Sequence, residues 1–213
     1  MVELAVKSLI AYLLGTALGS LILGRLRGVD IRSMGSGNAG ATNALRTQGK
    51  VFGLAVLILD IGKGMAAVLW VPLLSLPGVV PGADVSRQWV PLACGVAVVL
   101  GHVYPVWFGF RGGKGVATVA GVVGALEPRL LVPMVVCWLS VLLLTGYVGL
   151  ASMLAGLGLI IAAYWLEPAN TALLEFCVLV TALVVYTHRG NIARMAAGTE
   201  HRARVWLFRS RAA

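Results

Sequence analysis

The sequence predicts an all-α integral membrane protein of about seven transmembrane helices, with the N-terminus outside and the C-terminus in the cytoplasm. Three observations support this. First, 59% of the 213 residues are hydrophobic and only 12% are charged, about half the ~25% charge of a soluble domain. That much apolar surface does not fit inside one water-soluble core of this length. Second, apolar runs approaching the ~20 residues of a membrane span recur along the chain. Third, thirteen of the 17 Lys and Arg residues fall in three stretches. These are Arg25, Arg27, Arg32, Arg46 and Lys50; Arg111 and Lys114; and Arg189, Arg194, Arg202, Arg204, Arg209 and Arg211. Basic loops mark the cytoplasmic side of a membrane protein, so the net charge of +9 calls for no nucleic acid.

The spans fall at about 4–24, 52–76, 89–108, 115–126, 130–146, 150–166 and 171–187. The first has no basic start and no clear cleavage site, and reads as a retained helix. Glu127-Pro128 separates the fourth span from the fifth, because proline removes a donor and clashes with the preceding turn. The fourth span is short; a re-entrant segment there would reverse every later orientation. With seven spans, the ends of spans 1, 3, 5 and 7 share one face. All three basic stretches then lie on it, with Asp84/Arg87 and Glu127/Arg129 opposite. The chain reads as one transmembrane domain, 1–213, with a basic cytoplasmic tail at 199–213. In that tail Trp206, Leu207 and Phe208 sit among arginines, suiting either an anionic leaflet or solvent. Cys94, Cys137 and Cys177 lie in apolar spans and read as small hydrophobes.

Three polar, glycine-rich islands stand at the ends of these spans. The first is Gly35-Ser-Gly-Asn-Ala-Gly-Ala-Thr-Asn-Ala-Leu-Arg46. Its glycines, among them Gly37 and Gly40, let backbone amides turn toward a ligand. Ser36, Asn38, Thr42 and Asn43 add neutral hydrogen-bonding groups, and Arg46 adds a planar fork suited to phosphate. A plain turn capping the second span is the competing reading. The second island, Gly101 to Thr118, contains Gly112-Gly113-Lys114-Gly115 just before the fourth span. It is not a Walker A loop, which requires Ser or Thr after the lysine. A lysine at a helix N-terminus opposes the helix dipole, so Lys114 reads as a functional cation. His102 serves either as a structural donor or in chemistry. The third island holds His188 and Asn191, three apart and on one face if the seventh span continues. Ser152, after Tyr147-Val-Gly-Leu-Ala, places one hydroxyl on the same side. Asp60 and Lys63, at i and i+3 within the second span, form either a mutual ion pair or a link to the site.

The islands contain no carboxylate; Asp30 is the nearest. A magnesium site would want oxygen ligands, usually carboxylates, so metal is not expected, nor any cofactor. Ser36, Ser152, His102 and His188 lack a carboxylate to orient them, which weakens a Ser-His nucleophile, and no His-x4-Asp pair is present.

In their order and spacing these segments resemble the acyl-phosphate:glycerol-3-phosphate acyltransferases, the PlsY family. The residues concerned are 35–46, Gly101-His-x-Tyr-Pro with Gly-Gly-Lys-Gly-x-Ala-Thr to 118, Tyr-Val-x-Leu-Ala-Ser at 147–152 and His-Arg-x-Asn-Ile at 188–192. The resemblance implies a seven-helix bacterial inner-membrane enzyme with its site on the cytoplasmic side. It implies acyl transfer from acyl phosphate to glycerol 3-phosphate, giving lysophosphatidic acid and phosphate. The partners would be these two substrates and the bilayer, with no obligate protein partner. Lys114, Ser152, His188 and Asn191 would be catalytic. Ser36, Gly37, Asn38, Gly40, Thr42, Asn43, Arg46, Gly112, Gly113 and Gly115 would bind phosphate. The family usually has a basic residue where Gly146 stands and often Ser where Gly149 stands, leaving Ser152 as the functional hydroxyl. The rival class is a transporter of an organic phosphate anion, whose site would sit near the bilayer midplane on broken helices.

Overall fold

The structure, a computed structural model, describes residues 1–77 and 89–203. Asp84, Arg87 and the Trp206–Phe208 segment lie outside the described residues. All regular structure among the described residues is helical. The chain divides into two compact units, Met1–Pro128 and Arg129–Ala213.

The first unit contains α1 (Val2–Gly15), α2 (Gly19–Leu26), α3 (Ala41–Gln48), α4 (Lys50–Leu69), α5 (Trp89–Val103) and α6 (Val116–Leu126). The first span is not one straight helix. α1 and α2 bend by 41° across Thr16–Leu18, which frees backbone groups inside an apolar environment. Such groups need partners, and α4 provides them. Lys63 Nζ donates to the carbonyls of Gly15 and Ala17 at 3.0 Å each, and Asp60 Oδ1 accepts from the Gly19 N–H at 3.3 Å. Asp60 and Lys63 also pair with each other at 3.0 Å. Of the two readings open for these residues, the mutual ion pair is present, and it fills the helix break. Small residues let the helices approach. A Cβ on Gly101 of α5 would collide with the Tyr12 carbonyl of α1, and one on Gly121 of α6 with the Ile61 carbonyl of α4.

α6 has 11 residues, roughly 16 Å at 1.5 Å per residue, well short of the ~30 Å hydrocarbon core. It ends at Leu126 with Glu127 as C-cap, and α7 starts at Pro128, where the sequence placed the break. Among the described residues, four helices are long and apolar enough to cross a membrane, or up to six if each bent pair forms one span.

The second unit holds α7 (Pro128–Thr145), α8 (Val148–Leu166), α9 (Thr171–Thr187) and α10 (Arg189–Ala196). α7 and α8 run antiparallel through a two-residue connection in which Gly146 adopts φ 77°. A basic residue with a Cβ would be strained there. α9 and α10 bend by 51° at His188, so the seventh span does not continue straight. Residues 199–203 fold back onto the unit. The Ala203 N–H donates to the Gly146 carbonyl at 2.7 Å, and Arg202 Nε donates to the Tyr147 hydroxyl at 3.1 Å.

Candidate active site

In the first unit the polar island after α2 is a looped cradle, and Asn43 is its brace. Asn43 is buried; its Oδ1 accepts from the Ser36 N–H at 2.9 Å. Its Nδ2 donates to the carbonyls of Ile31 at 2.9 Å and Met34 at 3.0 Å. Both amide hydrogens are spent on the loop, so Asn43 shapes the cradle from within. Asp30 and Arg32 close its outer side with an ion pair of 2.7 Å. The hydrogen bond from Arg32 holds the Asp30 carboxyl below its ordinary value. Ser36 and Gly37 are exposed, while Asn38, Gly40, Thr42 and Arg46 are half-buried. Arg46 Nε is a buried donor with no hydrogen-bond partner in the protein. An unspent guanidinium donor is costly unless an acceptor arrives.

The loop after α5 returns to this cradle. Arg32 stacks over the Phe108 ring at 5.5 Å and donates to the Phe108 carbonyl at 3.4 Å. The same ring packs with Leu18, Leu21 and Ala39. The chain then doubles back: the N–H groups of Gly112 and Gly113 donate to the carbonyls of Val103 and His102, each at 3.1 Å. Gly115 turns the chain into α6 with φ 86°, a left-handed conformation glycine adopts without strain. Lys114, half-buried, precedes that turn directly.

Two helix starts therefore face the polar loops. α3 begins at Gly40 and α6 at Gly115, and neither has a side-chain cap. The first-turn amides are left without protein acceptors of that kind, and the helix dipoles favour an anion there.

His102 is nearly fully buried, and its ring packs between two elements. One side is 3.5 Å from Asp60 Oδ1, measured at Nδ1. The other side backs Gly113, where a Cβ would strike Nε2 and meet Cε1 at 2.9 Å and Cδ2 at 3.0 Å. The expectation that His102 has no carboxylate is thus corrected. Asp60 is 42 positions away in sequence, and only the packing of α4 against α5 brings it there.

In the second unit the Tyr147–Ser152 segment and the third island meet. A Cβ on Gly149 would fall 2.9 Å from Asn191 Cβ, Cγ and Nδ2, so Gly149 is the residue that lets Asn191 close on α8. Ser152 is buried; its hydroxyl donates to the Val148 carbonyl at 2.9 Å and accepts from Trp138 Nε1 at 3.2 Å. His188 Nδ1 is 2.7 Å from the Val184 carbonyl, and the ring sits at the bend between α9 and α10. Asn191 Nδ2 donates to Glu200 Oε1 at 2.6 Å, while Glu200 Oε2 accepts from Arg194 Nε at 2.6 Å. The island itself holds no carboxylate, as its sequence shows, but the fold brings one to it. Glu200 lies nine residues beyond Asn191, in a segment read as a basic tail.

Fold and site together define a helical membrane protein whose first unit presents two uncapped helix starts, a lysine and an unspent arginine donor to an anion. The comparisons with known proteins agree with that class. The glycerol-3-phosphate acyltransferase family model matches residues 5–198. The glycerol-3-phosphate acyltransferase of Aquifex aeolicus is 43% identical over 196 residues, covering 90% of this chain and 95% of that protein. That of Agrobacterium fabrum is 42% identical over 200 residues, covering 93% and 91%. A crystal structure of PlsY, an integral membrane glycerol 3-phosphate acyltransferase, in its glycerol 3-phosphate form superposes with a TM-score of 0.83. It is 36% identical in sequence, over 97% of this chain and 99% of that one. The lysophosphatidic acid form of PlsY gives a TM-score of 0.79 at 37% identity, over 93% and 94%. The chain belongs to the glycerol-3-phosphate acyltransferase family.

Proposed function

We propose that this protein transfers an acyl group from acyl phosphate to the 1-hydroxyl of glycerol 3-phosphate, releasing lysophosphatidic acid and inorganic phosphate. The hydroxyl oxygen attacks the acyl carbonyl carbon. The ester C–O bond forms as the C–O bond to phosphate breaks. Phosphate leaves with the electron pair, and the hydroxyl proton passes to a phosphate oxygen. The donor is already activated, so the protein's task is to place two anions and stabilise developing charge.

The observation that supports this most is the pair of uncapped helix starts at Gly40 and Gly115, with Lys114 and the unspent Arg46 donor beside them. Lys114 stabilises charge on the phosphate or carbonyl oxygen. Ser36, Gly37, Asn38, Gly40, Thr42 and Arg46, with Gly112, Gly113 and Gly115, bind phosphate, and Asn43 holds the cradle. We assign catalytic roles also to Ser152, His188 and Asn191 of the second unit, on the strength of the family to which the chain belongs. The reaction uses no metal and no cofactor. The protein is a seven-span protein of the bacterial inner membrane, N-terminus outside and C-terminus inside, with its polar loops facing the cytoplasm.

Purified protein in lipid is given glycerol 3-phosphate with acyl phosphate or acyl-CoA, with and without EDTA. Lysophosphatidic acid and phosphate are expected from acyl phosphate alone, unaffected by chelation. Turnover only with acyl-CoA, or strict dependence on Mg²⁺, refutes the reading. No turnover with uptake of glycerol phosphate into liposomes makes the protein a transporter. For sidedness, single cysteines at the exposed positions Phe110 and Ala193 in a background lacking the native three are probed in intact cells. An impermeant thiol reagent should label neither of them.

A further inference from the structure

The Asp60–His102 contact runs deeper than the helix break requires. Lys63 alone satisfies the Gly15 and Ala17 carbonyls, and Asp60 Oδ1 alone compensates Lys63 and the Gly19 N–H. Yet Asp60 Oδ2 and His102 Nδ1 are both buried and have no hydrogen-bond partner in the protein. Buried polar atoms without partners are rare and call for an explanation. His102 offers one through its position. Its carbonyl receives the Gly113 N–H, and its ring fills the space behind the Gly113 Cα. One residue thus holds the lysine-bearing turn twice, by backbone and by side chain, while Asp60 Oδ1 lies 3.5 Å from the Nδ1 edge on the other side.

We propose that Asp60 and His102 are positioning residues for the Gly112–Gly113–Lys114 turn. Asp60 orients the imidazole, and the imidazole braces the turn that sets Lys114. Neither residue touches substrate; both act through the loop. The charge of Asp60 draws the Nδ1 edge toward α4, which leaves the opposite edge packed on Gly113. A turn that relaxes by even ~1 Å loses rate steeply, because positioning errors of that size cost up to ~10²-fold. The kinetic part of this proposal rests on the acyl-transfer reading above; the structural part does not.

The test uses the full chain in lipid nanodiscs. Asp60→Asn keeps the shape and the acceptor for Gly19 while removing the charge. It is compared with His102→Ala and the double variant. Hydrogen exchange by mass spectrometry reads the peptide spanning 111–116, where the Gly112 and Gly113 amides are hydrogen-bonded. His102→Ala should speed exchange there about tenfold without change in α1 or α4; Asp60→Asn should speed it there as much, with any further change confined to the α1–α2 bend that Lys63 holds. Turnover should fall ~10-fold or more in kcat, with KM for glycerol 3-phosphate shifting less than threefold. Because Asp60 acts through His102, the double variant should be no worse than His102→Ala. Additive losses, or an unchanged loop, overturn the proposal.

A second pair decides the case if Asp60→Asn does not fold. Gly113→Ala pushes the turn off the imidazole, and adding His102→Ala vacates the space for the new methyl. The double variant should then regain activity over Gly113→Ala; a further loss overturns the proposal. If the parent protein shows no acyl transfer, that refutes the functional reading, and the exchange measurements alone decide the positioning.

Discussion

Gly53 lies on α4, outside every polar island, yet the structure makes it a lever on the proposed phosphate cradle. A Cβ at Gly53 would sit 2.6 Å from Leu45 Cα and Cβ and 2.8 Å from Leu45 N. Ordinary van der Waals contact begins near 3.4 Å, so Gly53→Ala must separate α3 from α4 by roughly 0.8 Å. Two of these atoms are helix backbone, so no flexible side chain can swing away, and α3 must move as a body. Overpacking of this kind costs about 1–3 kcal/mol, or about 2–12 °C in Tm for a chain of this size. α3 carries Thr42, Asn43 and Arg46, so the displacement should also lower kcat/KM for glycerol 3-phosphate by at least ~10-fold. Gly62 supplies a control on the same helix, since nothing lies within 4 Å of its added Cβ. Gly62→Ala should be neutral or stabilising by up to ~1 kcal/mol. Both variants are measured by thermal unfolding in detergent and by steady-state phosphate release. If Gly53→Ala matches the parent within 2 °C (on the order of half a kcal/mol) and twofold in kcat/KM, α3 does not hold the cradle rigidly and the argument fails.

Lys114→Ala should remain folded and membrane-inserted while losing ~10²–10³-fold in kcat; near-normal turnover at saturating substrates would remove Lys114 from the mechanism. Asn43→Ala orphans the Ile31 and Met34 carbonyls and the Ser36 N–H, so stability should fall by about 2–4 kcal/mol, read by thermal unfolding. The Asp30–Arg32 pair should add little. Arg32 lowers the Asp30 carboxyl in the folded protein, so its contribution is complete above the ordinary aspartate range near ~4 and is lost as pH falls below it. Both side chains are partly exposed, which limits the effect to at most about 1 kcal/mol. Thermal unfolding of Asp30→Asn against the parent should therefore differ little at pH 7 and converge at pH 3; a gap that widens on acidification contradicts this sign.

Much of this protein is readable along the chain because its signals are local. Apolar run lengths locate the longer helices, and α6 stops before Pro128 as expected, because a missing N–H acts at its own position. The i, i+3 spacing of Asp60 and Lys63 places both on one face, so their pairing follows from helix geometry alone. Glycine-dense islands beside Lys114 and Arg46 announce anion chemistry through composition. The contacts that arrange those islands carry no such local mark. Asp60 meets His102 across 42 residues, Gly53 meets Leu45 because two helices cross without room for a methyl, and Glu200 reaches Asn191 by folding back from a segment that reads as a charged tail. The bends at 16–18 and at His188 are equally silent in the sequence, since Lys63 and Asp60 compensate the first from another helix. Spacing along one helix dictates which residues share a face. Which faces meet, and what a buried charge meets there, depends on packing among distant segments.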